Sequence, residues 1–260
     1  MATSRAGGAR TVGDRGLAAI AIVLGAVAGY IDALGWALLS NVYVANMSGN
    51  TIALGRGLAH RDFAEAAARS WPIVSFTLGL FVSELAYDLA RRRGRPSSAG
   101  WTLGLEAGAV ALVSILPWPA AQSTSGLTYY VPTGLLSLAM GLQNATLIRV
   151  GASSLYTTHV TGNITRLARE AAHSLLWIVD RSRQRVSGRL VEQRSARRVV
   201  LMGAVWFAYG VGALLGALGA DHWNRRGAIA AVVVLVALVV ADAFAPIGGH
   251  ERPAEPHAMF

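Results

Sequence analysis

Six apolar runs, each close to the thickness of a bilayer, decide most of what this chain can fold into. They are Leu17–Leu39, Trp71–Ala90, Gly100–Trp118, Gly126–Ile148, Val199–Ala220 and Gly227–Pro246. A helix needs about 20 largely apolar residues to cross the hydrocarbon core. In lipid the backbone must satisfy its own hydrogen bonds, which makes helices the natural form of such runs. Charges inside them are few: Asp32 in the first, Glu84 and Asp88 near the end of the second, Glu106 in the third and Asp242 near the end of the sixth. The chain is 53% hydrophobic and 14% charged, whereas a soluble domain carries about 25% charge. The fold class is therefore all-α, a polytopic membrane helix bundle of about six spans. With no cysteine, disulfides and thiolate metal sites are excluded.

Charge distribution argues against a nucleic-acid partner. All 23 basic residues are arginine and the formal charge is +9, but the arginines cluster between the apolar runs. There they suit helix ends meeting anionic lipid headgroups. Placing both termini in the cytoplasm puts 18 arginines inside and leaves 5 outside, as positive-inside orientation requires. Arg56, Arg61 and Arg69 are the exception on an outer loop. The stretch Asp180–Arg198 holds seven arginines and reads as a solvated loop held to anionic lipid. At the N-terminus, Arg5, Arg10 and Arg15 before Ala26-Val27-Ala28 also resemble a cleavable signal peptide. Cleavage there would remove half of a matched pair, described next.

Gly25, Gly29, Asp32 and Ala33 align with Ser137, Gly141, Asn144 and Ala145 at an offset of 112. Ser48-Gly49-Asn50 aligns with Thr161-Gly162-Asn163 at 113, and Gly79, Asp88, Arg92 and Arg93 align with Gly212, Asp221, Arg225 and Arg226 at 133. Each half reads as helix, Ser/Thr-Gly-Asn segment, helix, helix. Three spans per half is an odd number, so the halves are expected to be two inverted three-helix repeats. Such a plan recurs in transporters, with the site where the halves meet. The expected organisation is an N-terminal tail 1–16, a first repeat 17–121, a second repeat 126–247 with the basic loop 174–198, and a flexible tail 248–260. Gly25, Gly29 and Gly141 are the expected helix-packing glycines. The four-residue spacings Gly25/Gly29, Gly104/Gly108 and Gly212/Gly216 would let backbones approach closely.

Asp32 is the sharpest candidate for chemistry. It shares a helix face with Gly25, Gly29 and Trp36, which points it at a groove between helices. It reads either as a proton- or cation-binding carboxylate or as a hydrogen-bonding lock. Its repeat mate Asn144 cannot ionise, which favours the lock. The second constellation is Asn46, Ser48 and Asn50 with His159, Thr161 and Asn163. A Ser or Thr before Gly-Asn is N-cap chemistry, and a helix N-terminus at a cavity would attract anions or polar solutes. An ordinary turn before an interfacial amphipathic helix is the alternative. Gln143 extends the polar face of Asn144. His159 stands among hydroxyls, without the three or four ligands zinc needs, so neither a metal nor a cofactor is expected. Glu84, Glu106 and Asp242 are weaker candidates for a pathway.

Gly29-Tyr30-Ile31-Asp32-Ala33, Asn46-Met47-Ser48-Gly49-Asn50, Gly141-Leu142-Gln143-Asn144-Ala145 and Thr157-Thr158-His159-Val160-Thr161-Gly162-Asn163 together resemble the YoaK-like family of bacterial inner-membrane proteins, over roughly residues 17–246. The resemblance implies a multi-span protein of the bacterial plasma membrane and no assigned site. The basic insertion after the last motif looks larger than that family carries. Three functions compete. A small transporter or channel would hold a small polar solute or ion near the midplane. A scaffold or regulator would work through the arginine-rich loop. A membrane enzyme would act on a lipid-linked substrate, with His159, Arg166 and Glu170 at one interface. A homo-oligomer is compatible with all three.

Overall fold

The computed structural model describes residues 12–95, 97–118, 123–149 and 189–247, with Thr165, Ala168, Arg169 and Ala172 singly. Among these residues the protein is all-helical: α1 (Asp14–Leu38), α2 (Met47–Ala59), α3 (Phe63–Arg92), α4 (Ala99–Ile115), α5 (Leu127–Arg149), α6 (Arg189–Trp223) and α7 (Ala228–Phe244), with a 3-10 turn at Asn224–Gly227. Six of the seven helices sit on the six apolar runs; α2 is the short Ser-Gly-Asn segment. Among the described residues, 15–38, 63–92 and the stretch 199–244 are long and apolar enough to cross a membrane, and Ala99–Ile115 is a shorter apolar helix. The stretch 199–244 is α6 and α7 joined through the 3-10 turn, where Asn224 takes a left-handed φ of 52°. Large apolar side chains, among them Phe81, Trp101, Phe207, Leu214 and Val233, are exposed around the outside. That is the surface of a protein solvated by lipid. One boundary differs from expectation: α6 begins at Arg189, so the last ten residues assigned to the basic loop are helical.

Local rules explain several helix ends. Asp62 caps α3 by accepting the Glu65 N–H at 3.0 Å. Helix α4 is capped from a distance: Asp242 at the end of α7 accepts the Gly100 N–H at 2.9 Å, while Ser97 Oγ accepts the Ala99 N–H. Beyond α1, Ser40 and Asn41 take left-handed φ values of 56° and 59°. The Arg69 guanidinium donates to both of their carbonyls. Arg69, one of the three arginines that look misplaced by charge, thus has a structural task at the end of α1.

The helices pack in matched pairs. α1 lies along α6, α3 lies along α5, and α4 lies against α7 and α5. At the α1–α6 crossing a Cβ on Gly29 would collide with the Tyr209 carbonyl and crowd the Ala213 nitrogen. One on Gly212 would collide with the Ala26 carbonyl. At the α3–α5 crossing Gly141 faces the Phe76 carbonyl and the Leu80 nitrogen, and Gly79 faces the Leu138 carbonyl. Each of these atom pairs at the first crossing maps onto one at the second by the sequence offsets: 112 from Gly29 to Gly141 and from Ala26 to Leu138, 133 from Phe76 to Tyr209, from Gly79 to Gly212 and from Leu80 to Ala213. The same register of two helix pairs is built twice. Gly104 and Gly108, by contrast, have nothing within 4 Å of an added Cβ, so this third glycine pair makes no close approach.

Candidate functional site

Among the described residues two buried polar centres lie inside the bundle, and they differ in whether their hydrogen bonds are complete. The first surrounds Asp32. Six residues before the end of α1, it lies about 9 Å back from that end at 1.5 Å per residue. The chain reverses at residues 39–41 and runs back along α1 through 42–46. Val42, Val44 and Ala45 are buried there, and Val44 packs where a Cβ on Gly35 would stand. Asp32 Oδ1 accepts the N–H groups of Val44 (2.8 Å) and Ala45 (2.9 Å), and the Asn46 N–H also bonds to the carboxylate. Oδ2 accepts the Tyr209 hydroxyl of α6 at 2.7 Å. Helix α2 starts at the next residue, Met47. The anion at the positive end of α2 is therefore the protein's own carboxylate.

The Ser-Gly-Asn signature holds this fold-back in place. Asn46 is the N-cap position and makes no side-chain cap. Ser48 is exposed and already inside the first turn, so the capping role expected of it is not what the structure shows. Gly49 is small because the Tyr43 ring lies against it, 2.9 Å from where a Cβ would be. Asn50 is buried and donates to the Tyr43 carbonyl at 2.6 Å. His159, Thr161 and Asn163 lie outside the described residues.

The second centre lies between α4 and α5. Thr146 of α5 and Thr102 of α4 hydrogen-bond through their hydroxyls at 2.8 Å. One turn along the same face of α4 is Glu106, which is 0% exposed. Both its oxygens are buried without a hydrogen-bond partner. With the two helices antiparallel from the Thr102–Thr146 contact, Glu106 is level with Leu142 and Gln143. Gln143 donates to the Leu24 carbonyl of α1, while its Oε1, with Ser137 Oγ and Thr133 Oγ1 on the same helix, is also buried and unpartnered. Asn144 on the same helix is buried and has a partner. Among the described residues no three His, Asp or Glu side chains group to hold a metal ion.

Buried polar groups in native proteins are almost always paired, and each exception calls for an explanation. Asp32 is paired on both oxygens; Glu106 is paired on neither. Sequence spacing weighted the two the other way round. The signal that singles out Asp32 is its repeat mate, whereas the offset of 133 places only Val239 opposite Glu106.

A family model described as protein of unknown function (DUF1275) matches residues 20–241. The chain is 25% identical over 195 residues to the UPF0700 transmembrane protein YoaK of Bacillus subtilis (strain 168), an alignment covering 74% of this chain and 78% of that protein. No solved structure matches.

Proposed function

The chain belongs to the DUF1275 family, integral membrane proteins of unknown function, and from that premise we propose that it is a small transporter or channel whose polar site lies inside the bundle at Glu106. The observation that carries this reading is the carboxyl with no partner. A carboxylate shut away from water costs free energy unless a counter-charge or donor meets it. Glu106 has neither, so the group is suited to hold a proton or to receive a cation, the exchange a transport site performs. Gln143 Oε1, level with it on α5, is a neutral acceptor without a partner, the kind of oxygen a partly dehydrated cation takes.

The twice-built crossing supports the plan expected of transporters, with two related halves meeting at the site. With three spans in each half, the halves enter the membrane from opposite sides. The arginine distribution favours both termini in the cytoplasm of a bacterial plasma membrane. Asn144, and beyond the described residues His159, Thr161 and Asn163, then belong to the second half's share of the pathway.

The test is flux through purified protein in vesicles, with imposed proton, sodium and potassium gradients and matched protein-free vesicles. Wild type is expected to dissipate at least one gradient faster than empty vesicles. Glu106→Gln, which keeps the size and removes the charge, is expected to bring that gradient back to the empty-vesicle rate without loss of folded protein. Equal fluxes with and without protein, or an unchanged flux in Glu106→Gln, would overturn the proposal.

A further inference from the structure

Away from the interior, an open groove of roughly 560 Å³ runs between α4 and α7 at the end of the bundle from which residue 247 leads to the C-terminal tail. Its walls are Gly100, Gly104 and Leu105 of α4 with Val239 and Ala243 of α7. Gly104 opens the depression: nothing lies within 4 Å of a Cβ built on it. At the mouth stands Arg95, its guanidinium carbon 5.7 Å from the centre of the Trp101 ring. Arg95 is exposed, and among the described residues it makes no ion pair. Among the described residues the acid inside the groove forms no ion pair with it. Asp242 is engaged on both oxygens by Ser97 Oγ–H, the Ile247 N–H and the Gly100 N–H. Arg91, Arg92 and Arg93, at the end of α3, add exposed positive charge nearby in sequence.

From this we infer a binding site for one anionic phospholipid, with an acyl chain lying in the groove and the phosphate at Arg95. The apolar walls suit a segment of a hydrocarbon chain, and neighbouring Trp101 and Leu105 are exposed on the outer face, so the groove opens onto lipid. Tryptophan at the end of a span is the residue that sits at headgroup level. An arginine held over it offers a fixed donor fork to a phosphate. Charge and shape together select a lipid with a net negative head over a zwitterionic one of the same chain length.

The experiment is native mass spectrometry of the full chain, released from detergent with phosphatidylglycerol or phosphatidylcholine of identical acyl chains. Wild type is expected to retain phosphatidylglycerol preferentially. In Arg95→Gln that preference is expected to fall about fivefold, the worth of one arginine near an anionic head. Gly104→Leu, which fills the groove at a position with free space, is expected to lose retention of both lipids. Arg56→Gln, an exposed arginine on α2, is expected to behave as wild type. Unchanged preference in Arg95→Gln, unchanged retention in Gly104→Leu, or displacement of phosphatidylglycerol by inorganic phosphate at equal concentration would each overturn the assignment.

Discussion

Gly29→Ala is expected to destabilise the fold by more than an ordinary surface change, and Gly141→Ala is expected to match it. The added methyl at Gly29 would enter the space of the Tyr209 carbonyl, and at Gly141 that of the Phe76 carbonyl. A side chain in the way could turn aside; a carbonyl can move only with its helix. The pairs α1–α6 and α3–α5 would have to separate, losing close contacts along their crossings. In lipid no hydrophobic gain offsets that loss, because lipid tails are as apolar as the helix surface. Overpacking in a well-filled interior typically costs about 1–3 kcal/mol, occasionally more, and a backbone clash belongs at the upper end. Gly104→Ala is the internal control, since a Cβ there meets nothing within 4 Å. It is expected to be neutral, or to gain up to about 1 kcal/mol from helix propensity. Thermal melting in detergent, with recovery of monodisperse protein, reads all three. Gly29→Ala melting with Gly104→Ala would show that the crossing tolerates a methyl and that the close approach is incidental.

The glycine comparison also marks what was legible in the sequence. The six spans follow from apolar length, and the crossings follow from glycines repeating at fixed offsets, because lipid demands apolar faces and close backbone approach demands a missing side chain. Both demands act on residue type. Spacing alone cannot separate Gly25/Gly29 from Gly104/Gly108, since identical patterns arise on a packed face and on an open one. The fold-back at 42–46 left little trace for a different reason: its partners to Asp32 are backbone N–H groups, which every residue but proline carries. Ser48 was misplaced because a cap pattern one or two residues late still looks like a cap. One further signal was present but needs the repeat to be read across both offsets at once. Asp32 pairs with Tyr209, and their mates are Asn144 and Phe76. Where the acid becomes an amide, the hydroxyl that serves it is gone.

That pairing makes the second prediction sharp. Asp32→Ala is expected to leave the Val44 and Ala45 N–H groups and the Tyr209 hydroxyl without their acceptor in a buried place. Each unsatisfied donor costs about 1–3 kcal/mol, so the sum threatens the folded state and the fold-back should open. Asp32→Asn is expected to cost less. Its amide oxygen still accepts from Val44 and Ala45, and its NH₂ turns to the Tyr209 oxygen, which must then rotate its own proton away. Tyr209→Phe alone removes a donor from the carboxylate and should also destabilise. Combining Asp32→Asn with Tyr209→Phe recreates the Asn144–Phe76 chemistry of the other half, and the double variant should melt above the sum of the two single losses. A coupling of about 0.5–3 kcal/mol is the range for residues in contact. Flux separates the roles of Asp32 and Glu106. If Asp32 is a lock, Asp32→Asn keeps transport in vesicles wherever it stays folded, while Glu106→Gln does not. Abolished flux in Asp32→Asn with melting unchanged would move the transport site from Glu106 to Asp32, and the completed hydrogen bonds around Asp32 would then be the resting state of a gate.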